Sequence, residues 1–256
     1  MNDEPQPLMD HLIELRQRLI YALCGFFLMF AVCYYFSEAI FQFLVHPLAN
    51  ILQSKGGSRR LIYTGLTEAF LTYIKVAAFS AAFVSFPVIA TQVWLFVAPG
   101  LYQNEKKIFV SLLAATPLLF FLGAAFAYFV IFPTAYQFFL SFESPGINGS
   151  LPIELEAKVN EYLSFVMRLI FAFGICFELP VILTLMASIG VVSHQSLIQR
   201  WRIAVVVIFV IAAFITPPDI LSMLGLALPL IILYGLSIIM IRALENYRLR
   251  KTMNDV

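Results

Sequence analysis

The sequence predicts an all-α, polytopic membrane protein with six transmembrane helices, spans five and six short. Three observations carry that fold class. Hydrophobic residues make up 61% of the chain and charged residues 12%, against about 45–50% and about 25% in soluble domains. Mostly apolar runs of at least about eighteen residues, the length a helix needs to cross a bilayer, recur from one end to the other. Basic residues also gather on alternate connections between those runs. A chain this apolar exposes too much surface to be at ease in water.

Residues 1–18 form a polar N-terminal segment in which Leu8, Leu12, Leu15 and Leu19 repeat at helical spacing. That stripe predicts an amphipathic helix lying on the membrane surface before the chain turns inward. The segment is acidic and the run after it is long, so it reads as a permanent first span rather than a cleavable signal. Span one covers about residues 19–41, with Tyr34 and Tyr35 as interface aromatics. Residues 37–52 keep amphipathic spacing, which suits a short surface helix.

Span two covers about residues 70–97 and contains Pro87, which removes one backbone hydrogen bond. Span three, residues 108–132, is expected to stop at Pro133, with a Gly-, Pro- and Ser-rich loop over 134–160. Span four, residues 161–192, is the longest and the most polar inside. Span five, residues 203–215, is only thirteen residues, about 20 Å of helix against roughly 30 Å of hydrocarbon. Span six, residues 220–241, is interrupted by Pro229. A hairpin this short predicts a locally thinned bilayer. One transmembrane domain thus occupies residues 19–241, and residues 242–256 form a charged tail expected to be disordered.

The basic residues set the orientation. Arg16, Arg18, Lys106, Lys107, Arg200, Arg202, Arg242, Arg248, Arg250 and Lys251 fall on one side, and Lys55, Arg59, Arg60 and Lys158 on the other. Ten against four predicts that both termini are cytoplasmic. Glu14 and Glu105 then face the same compartment.

Several function classes are disfavoured. A net charge of +1 without a basic, aromatic-interleaved patch argues against nucleic acid. Cys24, Cys33 and Cys176 lie inside apolar runs at no metal-binding spacing, and read as buried thiols. His11, His46 and His194 all lie outside the spans, and no metalloprotease helix, P-loop or nucleotide fingerprint occurs. The expectation is a protein with no catalytic activity and no cofactor.

The informative residues are carboxylates and intramembrane charges. Glu105 stands beside Lys106 and Lys107, and is either a solvated loop charge or half of a receptor for a cationic peptide. Glu14 precedes span one, with Arg18 four residues on as a local partner. Lys75, Arg168 and Glu178 fall within spans, where an ionisable group costs about 2.5–3.5 kcal/mol on insertion scales. Lys75 and Arg168 lie near span ends and are expected to snorkel. Glu178 lies roughly 25 Å along its helix from Glu161, and two readings stand for it: a protonated carboxyl in a helix–helix hydrogen bond, or a docking group. Asp219, after two prolines, suits the N-cap of span six. A proton-coupled small-solute transporter using Glu178 is the alternative function, although such proteins more often show inverted repeats.

Several stretches together resemble the TatC family, the core subunit of the twin-arginine protein translocase. They are His11-Leu12-Ile13-Glu14-Leu15-Arg16, His46-Pro47-Leu48, Gln92-Val93-Trp94 through Ala98-Pro99-Gly100-Leu101-Tyr102, and Asn104-Glu105-Lys106. Further on come Phe126-Ala127-Tyr128-Phe129, Tyr162-Leu163-Ser164-Phe165, Phe177-Glu178-Leu179-Pro180 and Thr216-Pro217-Pro218-Asp219. The resemblance implies a six-span, cup-shaped protein of the bacterial inner membrane, acting with single-span TatA- and TatB-type partners as a homo-oligomer within a hetero-complex. It implies that Glu14 and Glu105 bind the arginine pair of a signal peptide, with Arg16, Phe96 and Pro47 at the same task. Glu178 and Asp219 would serve partner docking. Met223 and Arg168 depart from the family's pattern, which bears on that docking alone.

Overall fold

In the computed structural model the backbone is described for residues 8–54, 60–97, 106–144, 151, 155–216 and 219–254. Ten α-helices occur among these residues: α1 Leu8–Tyr35, α2 Ser37–Ser54, α3 Glu68–Val97, α4 Lys106–Phe126, α5 Phe132–Leu140, α6 Val159–Cys176, α7 Leu179–Ser188, α8 His194–Gln199, α9 Trp201–Ile215 and α10 Ile220–Asn254. A π-helical turn, Ala127–Ile131, joins α4 to α5. An isolated bridge pairs Ile62 with Lys158.

Among the described residues, five runs are long and apolar enough to cross a membrane: His11–Tyr35, Glu68–Phe96, Val110–Leu140, Val159–Ser188 and Ile220–Asn246. Trp201–Ile215 is a shorter apolar helix, about 22 Å long at 1.5 Å per residue.

Four sequence expectations need correction. No turn separates the amphipathic segment from span one, because α1 runs unbroken from Leu8 to Tyr35. The leucine stripe lies on good helix formers, with no Pro or Gly between Leu8 and Gly25 to break it. Span three does not stop at Pro133. The π turn, in which the Phe132 N–H donates to the Ala127 carbonyl five residues back, lets the helix restart with Pro133 in its first turn, where a missing N–H costs little. Span four is two helices rather than one, broken at Phe177 and Glu178 where Pro180 opens α7. The charged tail is not disordered up to Asn254, since α10 continues through it.

The termini of these pieces follow local rules. Gly190, with φ 78°, ends α7; Val191 N–H reaches the Met186 carbonyl and Gly190 N–H the Ala187 carbonyl, the paired bonds of a left-handed C-terminal cap. Ser193 and Ser196 form a reciprocal capping box on α8.

Packing is dictated by where small residues allow close approach. α1 and α3 run antiparallel, with His11 against Phe96 at one end and Gly25 against Val88 further along. At the centre, a Cβ on Gly123 would lie 2.6 Å from the Phe173 carbonyl oxygen, and one on Gly174 would lie 2.6 Å from the Phe120 ring. These two glycines let α4 and α6 touch. Phe120 is fully buried there and stacks on Phe86 with ring centroids 3.6 Å apart. α10 then packs on α7, α8 and α9.

Candidate functional site

α1 presents His11, Glu14 and Arg18 along one stripe, and α3 answers with Gln92 and Phe96, which are one turn apart. The rings of His11 and Phe96 stack with centroids 4.3 Å apart and planes at 21°. Arg18 Nη2 donates to Glu14 Oε1 at 3.1 Å, and its Nη1 reaches Gln92 Oε1 at 3.5 Å. About a quarter of the Glu14 side chain stays exposed. The pair predicted from spacing is therefore formed, and Phe96 lies with it. Arg16 is exposed. Glu105 lies outside the described residues.

Pro47 does not join this group. Its helix, α2, touches the far end of α3 through Phe41 and Tyr73, whose rings are 5.5 Å apart. Tyr73 and Gln92 are nineteen residues apart on α3, roughly 28 Å along the axis. A side chain at Pro47 and one at Glu14 thus sit toward opposite ends of α3.

Glu178 occupies the break between α6 and α7 and is 6% exposed. The Thr116 hydroxyl on α4 lies near its carboxyl, and Trp94 Nε1 donates to Thr116 Oγ1 at 3.0 Å. Glu178 Oε1 remains buried without a partner. The carboxyl thus lies buried where the α6–α7 break meets α4, with one oxygen left over. Thr116 carried no signal in the sequence, because a threonine inside an apolar run also satisfies its own backbone, as here with the Leu112 carbonyl at 3.1 Å.

The last turns of α3 connect the two clusters. Gln92 and Phe96 face α1, while Trp94 between them is buried toward α4 and α7.

Asp219 caps α10 as expected, with Oδ1 accepting from the Ser222 N–H at 2.6 Å. Its Oδ2 and the Ser222 hydroxyl are both buried without a partner. Pro217 and Pro218 lie outside the described residues. Lys75 does not simply snorkel but donates to Asn160 Oδ1 at 2.6 Å. Arg168 is exposed on α6, and Met223 packs partly buried on the core.

At the Pro47 end, Glu68 ties the connection before α3 to the start of α6. Its Oε2 accepts from Thr64 N at 2.7 Å and Gly65 N at 3.1 Å, and its Oε1 from Asn160 N at 3.4 Å. Among the described residues no group of three or more His, Cys, Asp or Glu is placed to hold a metal ion.

Comparison with known proteins gives one consistent result. The family model described as "Sec-independent protein translocase protein (TatC)" matches residues 10–229. The "Sec-independent protein translocase protein TatC" of Rickettsia prowazekii (strain Madrid E) is 46% identical over 239 residues, 93% of this chain and 94% of that protein. The protein of the same name from Magnetococcus marinus is 46% identical over 246 residues, 96% of this chain and 88% of its own length. Among solved structures, the "Twin Arginine Translocase Receptor- TatC" is 34% identical with a TM-score of 0.74, covering 91% of this chain and 98% of that one.

Proposed function

The chain belongs to the TatC family, a multi-pass membrane component of the Sec-independent protein translocase and not an enzyme, and from that premise we propose that it is the receptor for twin-arginine signal peptides. In this reading Glu14 and Glu105 together grip two consecutive guanidinium groups at the cytoplasmic surface. A planar guanidinium makes two parallel, charge-assisted bonds to a carboxylate, which a lysine ammonium cannot copy. Phe96 forms the floor beside them, and Arg16 adjusts the local charge.

The observation that supports it most is the engagement of Glu14 by Arg18. The carboxylate already holds a guanidinium through one bond at 3.1 Å, so it is placed to accept one. The apolar part of the signal peptide then follows the molecule inward toward Glu178, where TatA- and TatB-type helices also dock. The protein sits in the bacterial cytoplasmic membrane with six spans and both termini inside, as a homo-oligomer within the larger complex, and exports folded proteins. Small-solute transport by Glu178 loses its support once the chain is placed in a protein-translocase family.

The test is binding of a labelled Arg-Arg signal peptide to the purified chain in lipid nanodiscs. Glu14→Gln and Glu105→Gln should each weaken binding about tenfold or more, the scale of one charge-assisted bond. Unchanged affinity in the double variant rules the site out.

A further inference from the structure

We propose that Pro47 is a positioning residue that acts through Tyr128, rather than a residue that touches the signal peptide. Pro47 lies inside α2. Having no N–H, it leaves the carbonyl four residues back, that of Phe43, without its helical donor. The hydroxyl of Tyr128 takes that place, donating to the Phe43 carbonyl at 2.6 Å. The two rings lie face to face, with centroids 4.7 Å apart and planes at 8°.

Tyr128 arrives there because it sits in the π turn. A π turn adds one residue to the helix and rotates the segment beyond it, a device common at functional positions. The tyrosine is 6% exposed, so its hydroxyl has little access to water. The next carbonyl of α2, that of Leu44, receives the Tyr162 hydroxyl from α6 at 2.9 Å. Two tyrosines from two spans thus fix the helix after span one. Only the first depends on the proline, because Leu44 has Leu48 N–H as its helical donor.

The arrangement gives a testable prediction. Pro47→Ala supplies a second donor, a backbone N–H, to the Phe43 carbonyl, whose two lone pairs can hold it beside the Tyr128 hydroxyl as the Leu44 carbonyl holds Leu48 N–H and Tyr162. Tyr128→Phe removes the hydroxyl and leaves the carbonyl unpaired. In the double variant the new alanine N–H satisfies the carbonyl, so Pro47→Ala should relieve most of the loss that Tyr128→Phe causes.

The experiment measures thermal unfolding of the purified full chain, which is independent of the signal-peptide reading. Tyr128→Phe should unfold about 3–6 °C lower, the scale of one unpaired buried group in a chain of this size, Pro47→Ala alone should unfold near the parent, and P47A/Y128F should recover most of the Tyr128→Phe loss. Tyr162→Phe is the control: combined with Pro47→Ala its loss should remain. Rescue in the first pair and an undiminished loss in the second support the proposal. A loss that remains in P47A/Y128F, or all three variants failing to fold, overturns it. Its bearing on export rests on the translocase reading, and export of an Arg-Arg-tagged folded reporter should then show the same order. Rescue of unfolding without rescue of export would refute that bearing while leaving the bond intact.

Discussion

Arg18 lies 3.1 Å from Glu14 on the stripe of α1 that faces α3, so the acidic residue assigned to the signal peptide already carries a guanidinium. An incoming arginine must displace it. Local pairs of this kind contribute about 0.2–0.5 kcal/mol, small enough to be displaced yet large enough to be measured.

Arg18→Gln should therefore tighten binding of an Arg-Arg peptide by about 1.5–2.5-fold, since that is the pair energy expressed as an affinity ratio. Fluorescence anisotropy with the chain in nanodiscs reads this directly. Weaker binding would mean that Arg18 assists the peptide instead of holding its place.

His11 and Phe96 form one stacked unit across α1 and α3. Aromatic pairs are worth about 0.5–1.5 kcal/mol beyond burial. His11→Ala and Phe96→Ala should each reduce peptide affinity, and the double variant should lose less than the sum of the two. Strict additivity in that cycle would show that the stack does not shape the site.

Thr116 stands between Trp94 and Glu178. Replacing it by the isosteric valine removes a buried acceptor that Trp94 Nε1 uses. A stability loss of about 1–3 kcal/mol is expected, because a buried polar group without a partner loses its solvation uncompensated. Chemical unfolding in detergent should show it, whereas Thr91→Val, whose hydroxyl bonds its own helix at the Pro87 carbonyl, should change little.

Asp219 separates a cap from a charge. Asparagine can accept the same bond from Ser222 N–H, so Asp219→Asn should keep wild-type stability, while Asp219→Ala should lose about 0.5–2 kcal/mol. If export fails in Asp219→Asn despite intact stability, the buried Oδ2 has a role beyond the cap.

Gly123 and Gly174 admit no side chain without movement, since the added carbon would fall 2.6 Å from the Phe173 carbonyl oxygen or the Phe120 ring. Gly123→Ala meets backbone and should destabilise by about 1–3 kcal/mol. Gly235, which has open space around its added carbon, should accept alanine without loss; a substantial loss there would mean that a neighbour closes on this position in the membrane.

Sequence alone determined the solvent and most of the parts list. Apolar runs of membrane length cannot be anything but membrane helices, because an unpaired backbone is too costly in hydrocarbon. The Glu14–Arg18 pair and the Asp219 cap were also legible, since both depend only on neighbours within a turn. Contacts between distant residues were decided by the tertiary structure. Pro133 reads locally as a stop, yet a π turn carries the helix past it to Leu140. Pro47 and Glu14 fall within one motif-rich half of the chain, yet a long helix holds them far apart. The Tyr128 hydroxyl finds the Phe43 carbonyl across 85 positions, a match that spacing cannot announce because it exists only once α2, the π turn and α6 have packed.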